Sequence, residues 1–222
     1  IILTQFAFGK DVTMDQVKVK GIRGIQKADI AEAKRLGYVI KLLGIAKLVN
    51  GHIDVSVGPV LVPQTQPLAA IQNENNAVVV TGSAVGETMF YGPGAGELPT
   101  ANSVLSDITS VTKNIVMGTT GFSFNDYTNE LELADDSEVV YPYYLSLQVL
   151  DKPGQMLKLT EIMTEYDASF RLITQTQMND RFARVSMVTH EMSESQLNHI
   201  VEKLNELEEI SVLAAYKVLT EK

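Results

Sequence analysis

The rhythm of residues 143–222 constrains the fold of this chain more than any other feature. Tyr143–Val149 alternates as a strand, and Asp151-Lys152-Pro153-Gly154 makes a turn. Gln155–Tyr166 then carries Met156, Leu159, Ile162 and Met163 at helical spacing. Ser169–Met178 and Phe182–Thr189 read as strands around a tight Asn179-Asp180 turn. Ser193 is placed to cap a helix through Leu207, with Leu197, Ile200, Val201 and Leu204 on its apolar face, and Ile210–Leu219 closes the series as a strand. The order β-α-β-β-α-β predicts a ferredoxin-like, four-stranded antiparallel sheet with both helices on one face. The other face is left for a partner.

The first half is of another kind. Gln16–Ile22 alternates like a short strand, and Asp29–Leu36 is a helix with Ile30, Ala33 and Leu36 on one face and Gly37 as its stop. Asn50-Gly51 joins strands at Tyr38–Val49 and His52–Val60, a pair suited to a type I′ turn because both positions need positive φ. Pro59, Pro63 and Pro67 punctuate a loop, and Leu68–Ile71 is a short helical turn. Asn76–Gly82 and Ala84–Tyr91 form a second strand pair that runs into the glycine-rich loop Gly92-Pro93-Gly94-Ala95-Gly96. A helix follows from Pro99-Thr100 to about Lys113, with Ala101, Val104, Leu105, Ile108 and Val111 as apolar positions. Residues 114–142 read as a linker or an irregular arm ending at Tyr141-Pro142. The whole is α+β. Ile1–Phe8 is an apolar run with no cap before it, as in a chain that begins inside a helix of a larger protein.

Charge separates the halves. Residues 1–120 hold ten Lys+Arg against nine Asp+Glu, whereas residues 121–222 hold eight against eighteen, which together make the net charge of −9. That balance argues against nucleic acid, whose phosphates need clustered cations. The absence of cysteine removes disulfides, thiolate chemistry and sulfur-ligated zinc, and suits a reducing cytoplasm. No apolar run approaches the roughly 20 residues needed to span a bilayer. His52, His190 and His199 are dispersed without metal-type spacing, so no metal is expected. Glu87 reads as a capped or salt-bridged carboxylate. No Ser-His-Asp or Cys-His arrangement and no convincing acid pair is present.

Two loops remain as ligand candidates. Gly92–Gly96 leads into a helix N-terminus, which admits a close backbone approach and favours negative charge; a tight strand-to-helix connection without a ligand is the alternative that the residues alone favour. Its spacing is not the dinucleotide G-x-G-x-x-G pattern. Asp151–Gly154 joins a strand to a helix, so free amides there can receive a small carboxylate, or the aspartate simply anchors a turn.

Two stretches carry a resemblance. Leu36-Gly37-Tyr38-Val39-Ile40-Lys41-Leu42-Leu43-Gly44-Ile45-Ala46, and Gly82-Ser83-Ala84-Val85-Gly86-Glu87-Thr88-Met89-Phe90-Tyr91-Gly92-Pro93-Gly94-Ala95-Gly96-Glu97-Leu98-Pro99-Thr100, are similar to the C-terminal half of the catalytic region of bacterial homoserine dehydrogenases, and Tyr143–Lys222 resembles their ACT domain. The resemblance divides the chain into a catalytic-region half (1–117), a linker (118–142) and a regulatory ACT domain (143–222). It implies reversible NAD(P)-dependent interconversion of aspartate semialdehyde and homoserine, in threonine and methionine biosynthesis. By it, Gly94, Gly96 and Thr100 lie near the nicotinamide end of the cofactor, with Gly92 and Pro93 shaping the loop. The strands of residues 38–91 form a mixed substrate-side sheet that also builds a dimer interface. The family's Rossmann domain and its catalytic acidic residue and lysine match nothing here and belong before Ile1, so the chain alone is expected to be inactive and to bind no NAD(P). Asp151, Gly154 and Met156 correspond to the effector loop of ACT domains, with threonine as the leading effector and a homodimer or tetramer as the assembly. Met156 stands where many ACT loops have leucine, and Asp167 where glycine commonly follows the first helix. The alternative is an amino-acid-binding, oligomerising regulatory module without chemistry of its own.

Overall fold

Asn50 and Gly51 take φ values of 51° and 88°, and the chain reverses there in two residues. This sets the register of β2 (Tyr38–Val49) against β3 (His52–Pro63), from Val49 opposite His52 to Tyr38 opposite Pro63. The computed structural model describes residues 1–121 and 128–220. They fall into two compact units, one of residues 1–64 with 127–222 and one of residues 65–126.

In the first unit, a short helix α1 (Ile2–Phe8) ends at Gly9 in the left-handed region, and a 3-10 turn at Met14–Gln16 precedes β1 (Lys18–Val19). The strand expected over 16–22 is thus reduced to two residues, Lys18 and Val19, which pair with Ser56 and Val57 of β3. Helix α2 (Lys27–Arg35) follows. Of the expected inward face, Ala33 is buried and Leu36 packs beside it, but Ile30 is 52% exposed and Asp29 is buried in its place.

The rest of this unit builds the expected split-βαβ layout. Strands β7 (Tyr143–Leu150), β8 (Phe170–Gln177), β9 (Phe182–Thr189) and β11 (Ile210–Val218) run in the antiparallel order β11-β7-β9-β8. Helices α4 (Gln155–Glu165) and α5 (Glu194–Asn205) bury Leu159, Met163, Ile200 and Leu204 against Leu145, Leu147, Val185 and Met187. Ser193 caps α5: its hydroxyl accepts from the Gln196 amide at 3.1 Å while the Gln196 side chain accepts from the Ser193 amide at 2.8 Å. Asp167 adopts φ 51° after α4, the left-handed position that glycine fills elsewhere.

The sheet does not stop at its fourth strand. β3 uses one edge for β2 and the other for both β1 and β11, and the β11 pairing is parallel, Lys217 with Val60 and Val218 with Leu61. One seven-stranded sheet therefore runs through both halves of the sequence. The face of β7–β9–β11 turned away from α4 and α5 is covered within the chain: Tyr144, Val188, Ala214 and Tyr216 pack with Ala33 of α2 and Leu61, with Leu36 and Tyr38 beside them. Residues 128–142 act as an irregular arm rather than a spacer. Leu133 bridges Ile53, Val139 is fully buried, and Tyr141 of β6 (Val140–Tyr141) pairs with Met192 of β10 (Met192–Ser193). Part of the expected linker, residues 122–127, lies outside the described residues.

In the second unit, a 3-10 turn at Pro67–Ala70 leads to the hairpin β4 (Asn75–Gly82) and β5 (Gly86–Pro93), then to α3 (Glu97–Met117), which is longer than expected by a turn at its C-terminal end. No residue of α3 is buried, and Val104, Leu105, Ile108, Val111 and Ile115 are all more than half exposed.

Candidate functional site

The glycine-rich loop is shaped by close packing at one position and by backbone conformation at another. The Gly94 amide donates to the Glu74 carbonyl at 3.1 Å, and a Cβ on Gly94 would stand 1.8 Å from Asn76 Nδ2. Gly96 takes φ 130°, open to glycine almost alone, and its carbonyl accepts from the Thr100 amide at 3.1 Å to begin α3. A shallow depression of about 240 Å³ lies beside the loop, lined by Asn76, Phe90, Tyr91, Gly92, Pro93 and Gly94. Gly94 thus borders a concave surface, while Gly96 and Thr100 sit at the helix start outside its lining. Glu87 is exposed on β5 opposite Thr81.

The second loop is held at its base and open at its tip. The Asp151 amide donates to the Arg181 carbonyl at 2.9 Å, and its carboxylate accepts from Gln175 Nε2 of β8 at 3.3 Å. Gly154, at φ 90°, is the N-cap of α4 and offers no side chain to the first-turn amides. Asp151 and Gly154 are exposed, but Met156 is half-buried and packs on the core, so the three expected residues do not converge. The residue between them was not anticipated: Gln155 is only 8% exposed, and its Oε1 has no hydrogen-bond partner among the described residues. A glutamine at the first position of an amphipathic helix gives no sequence sign of that.

Two further polar clusters were missed as well. Under α2, the Arg184 guanidinium donates to Asp29 Oδ1 at 2.8 Å, to Ser146 Oγ at 2.8 Å and to Gln26 Oε1 at 2.9 Å. Asp29 is fully buried and the Arg184 side chain only 9% exposed. Burial pushes the neighbouring Tyr144 hydroxyl up to about 12. Beside β3, the Lys217 ammonium lies 3.7 Å from Asp54, 3.4 Å from Glu194 and 3.2 Å from the Ser56 hydroxyl, and the Tyr141 hydroxyl donates to Asp54 at 3.0 Å. Burial, then the Asp54 charge, drives the Tyr141 hydroxyl well above the ordinary tyrosine range. Every charge in these clusters has a partner, so they hold elements together rather than offer a free acid or base. The alternation of Arg184 and Ser186 with apolar residues on β9 is the one sequence trace of the first cluster.

His52 Nδ1 lies 2.9 Å from the Glu138 carboxylate, His199 stacks on Tyr166, and His190 is exposed. No group of three or more metal-type side chains gathers among the described residues. No helix among them is long and apolar enough to cross a membrane.

Comparison with known proteins assigns these two loops to separate modules. The homoserine dehydrogenase family model matches residues 1–109, and the ACT domain model matches residues 143–209. The chain joins a homoserine dehydrogenase segment to an ACT domain. It is 44% identical over 220 residues to a homoserine dehydrogenase of Bacillus subtilis, covering 98% of this chain and 51% of that protein. The crystal structure of a homoserine dehydrogenase from Thiobacillus denitrificans superposes with a TM-score of 0.88 at 29% identity, over 98% of this chain and 51% of that one. The Staphylococcus aureus homoserine dehydrogenase at pH 6.0 gives a TM-score of 0.69 at 27% identity, over 100% and 52%. The chain thus spans about half the length of the relatives it matches. The Gly94–Thr100 loop lies in the homoserine dehydrogenase segment and the Asp151–Met156 loop in the ACT domain. The compact units cut differently from these modules, since residues 1–64 fold with the ACT domain.

Proposed function

We propose that this chain is the substrate-side and regulatory half of a homoserine dehydrogenase, the enzyme that interconverts aspartate semialdehyde and homoserine. The observation that carries this reading is the end-to-end likeness, 98% of the chain, to proteins of that name. The glycine-rich loop fits one edge of a nicotinamide cofactor: Gly94 and Gly96 bring bare backbone to the surface, and the start of α3 favours negative charge. NAD(P)H supplies the hydride. Gly94, Gly96 and Thr100 serve to seat the cofactor edge, while the proton donor that must reach the carbonyl oxygen is assigned to the part of the relatives' length that this chain does not cover.

In the ACT domain, the effector's ammonium is assigned to the exposed Asp151 carboxylate and its carboxylate to the first-turn amides of α4, which no side chain caps. Gln155 and Met156 support the helix from the core side. Threonine is the proposed effector. The assembly is a cytoplasmic homodimer or tetramer. A second reading, an amino-acid-binding module with no chemistry, describes the chain when it acts by itself, and the exposed Asp151 loop favours it.

The test has two arms. The purified chain should not oxidise NAD(P)H with aspartate semialdehyde, whereas fusion to a relative's N-terminal half should restore turnover; no turnover in the fused protein overturns the enzymatic reading. Calorimetry should detect threonine at millimolar concentration, with at least about tenfold weaker binding, ~1.4 kcal/mol, in Asp151→Ala. Equal affinities of the two proteins overturn the assignment of that loop.

A further inference from the structure

From the layout around β8, we infer that α2 is the relay through which the effector loop acts on the β2–β3 hairpin, with Thr174 and Glu32 as its contact. This rests on the effector reading of the Asp151–Gly154 loop. Successive residues of a strand face opposite sides of the sheet. On β8, Gln175 faces the α4–α5 side, opposite Val185, and its amide reaches the Asp151 carboxylate at 3.3 Å. Its neighbour Thr174, opposite Ser186, faces the α2 side, and its hydroxyl donates to Glu32 Oε1 of α2 at 2.7 Å. The next residue on that face, Thr176, pairs with Arg184, whose guanidinium holds Asp29 and Gln26 at the start of α2. β8 is an edge strand, joined on one side only, so it can shift without breaking a second ladder.

The far end of α2 is coupled to the hairpin with little slack. Gly37 follows the helix at φ 84°, its carbonyl accepts from the Gln64 amide at 2.9 Å, and Tyr38 begins β2. The Asp29–Arg184 pair is fully enclosed and acts as a fixed pivot. The Glu32–Thr174 contact is partly open and is the point that responds when the loop is occupied. Thr174 is therefore a positioning residue for regulation, touching neither effector nor substrate.

Hydrogen exchange on this chain, with and without millimolar threonine, tests the relay. Threonine should slow exchange both in residues 151–156 and in residues 27–36, the latter by about fivefold, the lower range of coupled sites. In Thr174→Val, which removes the hydroxyl and keeps the strand's shape, the loop should still be protected and threonine affinity should stay within about twofold, while the response of residues 27–36 disappears. A protected loop with an unresponsive α2 in the unaltered chain, or a full α2 response in Thr174→Val, overturns the relay alone. An unprotected loop overturns the effector reading and the relay with it.

Discussion

Asp29 is the residue on which the two halves of the sequence most depend. It sits at zero exposure among Arg184, Tyr144 and the first turn of α2. Removing its charge leaves a buried guanidinium uncompensated, so Asp29→Asn is expected to lower stability by about 3–5 kcal/mol in urea denaturation. Gly94→Ala is a milder case. The atom in the way is the end of the exposed Asn76 side chain, so the hairpin should lose only about 1 kcal/mol, recovered in Gly94→Ala/Asn76→Ala. Glu32 adds a pH dependence. The Arg35 guanidinium, and then Thr174, hold its carboxyl below the ordinary value of 4.5 against the opposing effect of burial. Its folded pKa lies below its unfolded one, so its contribution is present above the unfolded value and is lost as pH falls through the folded one. Glu32→Gln should therefore flatten the decline of the urea midpoint between about pH 5 and pH 3. A decline as steep as that of the unaltered chain would reject this assignment.

At the scale of elements, the turn at Asn50-Gly51 deserves a direct test because it sets the longest ladder in the chain. Gly51→Ala must place a Cβ at φ 88° and should cost about 1–2 kcal/mol, read from the thermal midpoint. This turn, the β-α-β-β-α-β order and the Ser193 cap were legible because each depends on neighbours close in sequence. β1 was overestimated since alternation alone does not say whether a partner edge exists, and only Ser56 and Val57 provide one. On the inward face of α2, Ala33 and Leu36 hold but Ile30 does not, for a related reason. Apolar spacing pointed to Ile30, but Arg184, more than 150 residues away, makes Asp29 the favoured buried position. Of the candidate site, Gly94, Gly96 and Gly154 were readable as backbone requirements. The orphan carbonyl of Gln155 depends on what does not surround it, and no local pattern encodes that.

For the molecule as a whole, burial is unevenly shared. Ala69 is the one buried hydrophobic residue between positions 65 and 121. A unit with so little enclosed apolar surface opens readily. Amides of β4 and β5 are expected to exchange at least about tenfold faster than those of β7 and β9, and to slow when the chain is joined to the N-terminal half of a relative. Equal protection in the chain alone would contradict this picture. β3 bears on a different problem, the grafting of control elements from one enzyme to another. A cassette cut at residue 143 would carry β11 but leave behind the edge it zips onto at Val60 and Leu61, along with the helix that shields Tyr144 and Tyr216. The transplant would arrive with a raw seam along one border and a greasy underside. The smallest portable form of this ACT fold is therefore discontinuous, and a successful donor must contribute Lys27–Pro63 together with it.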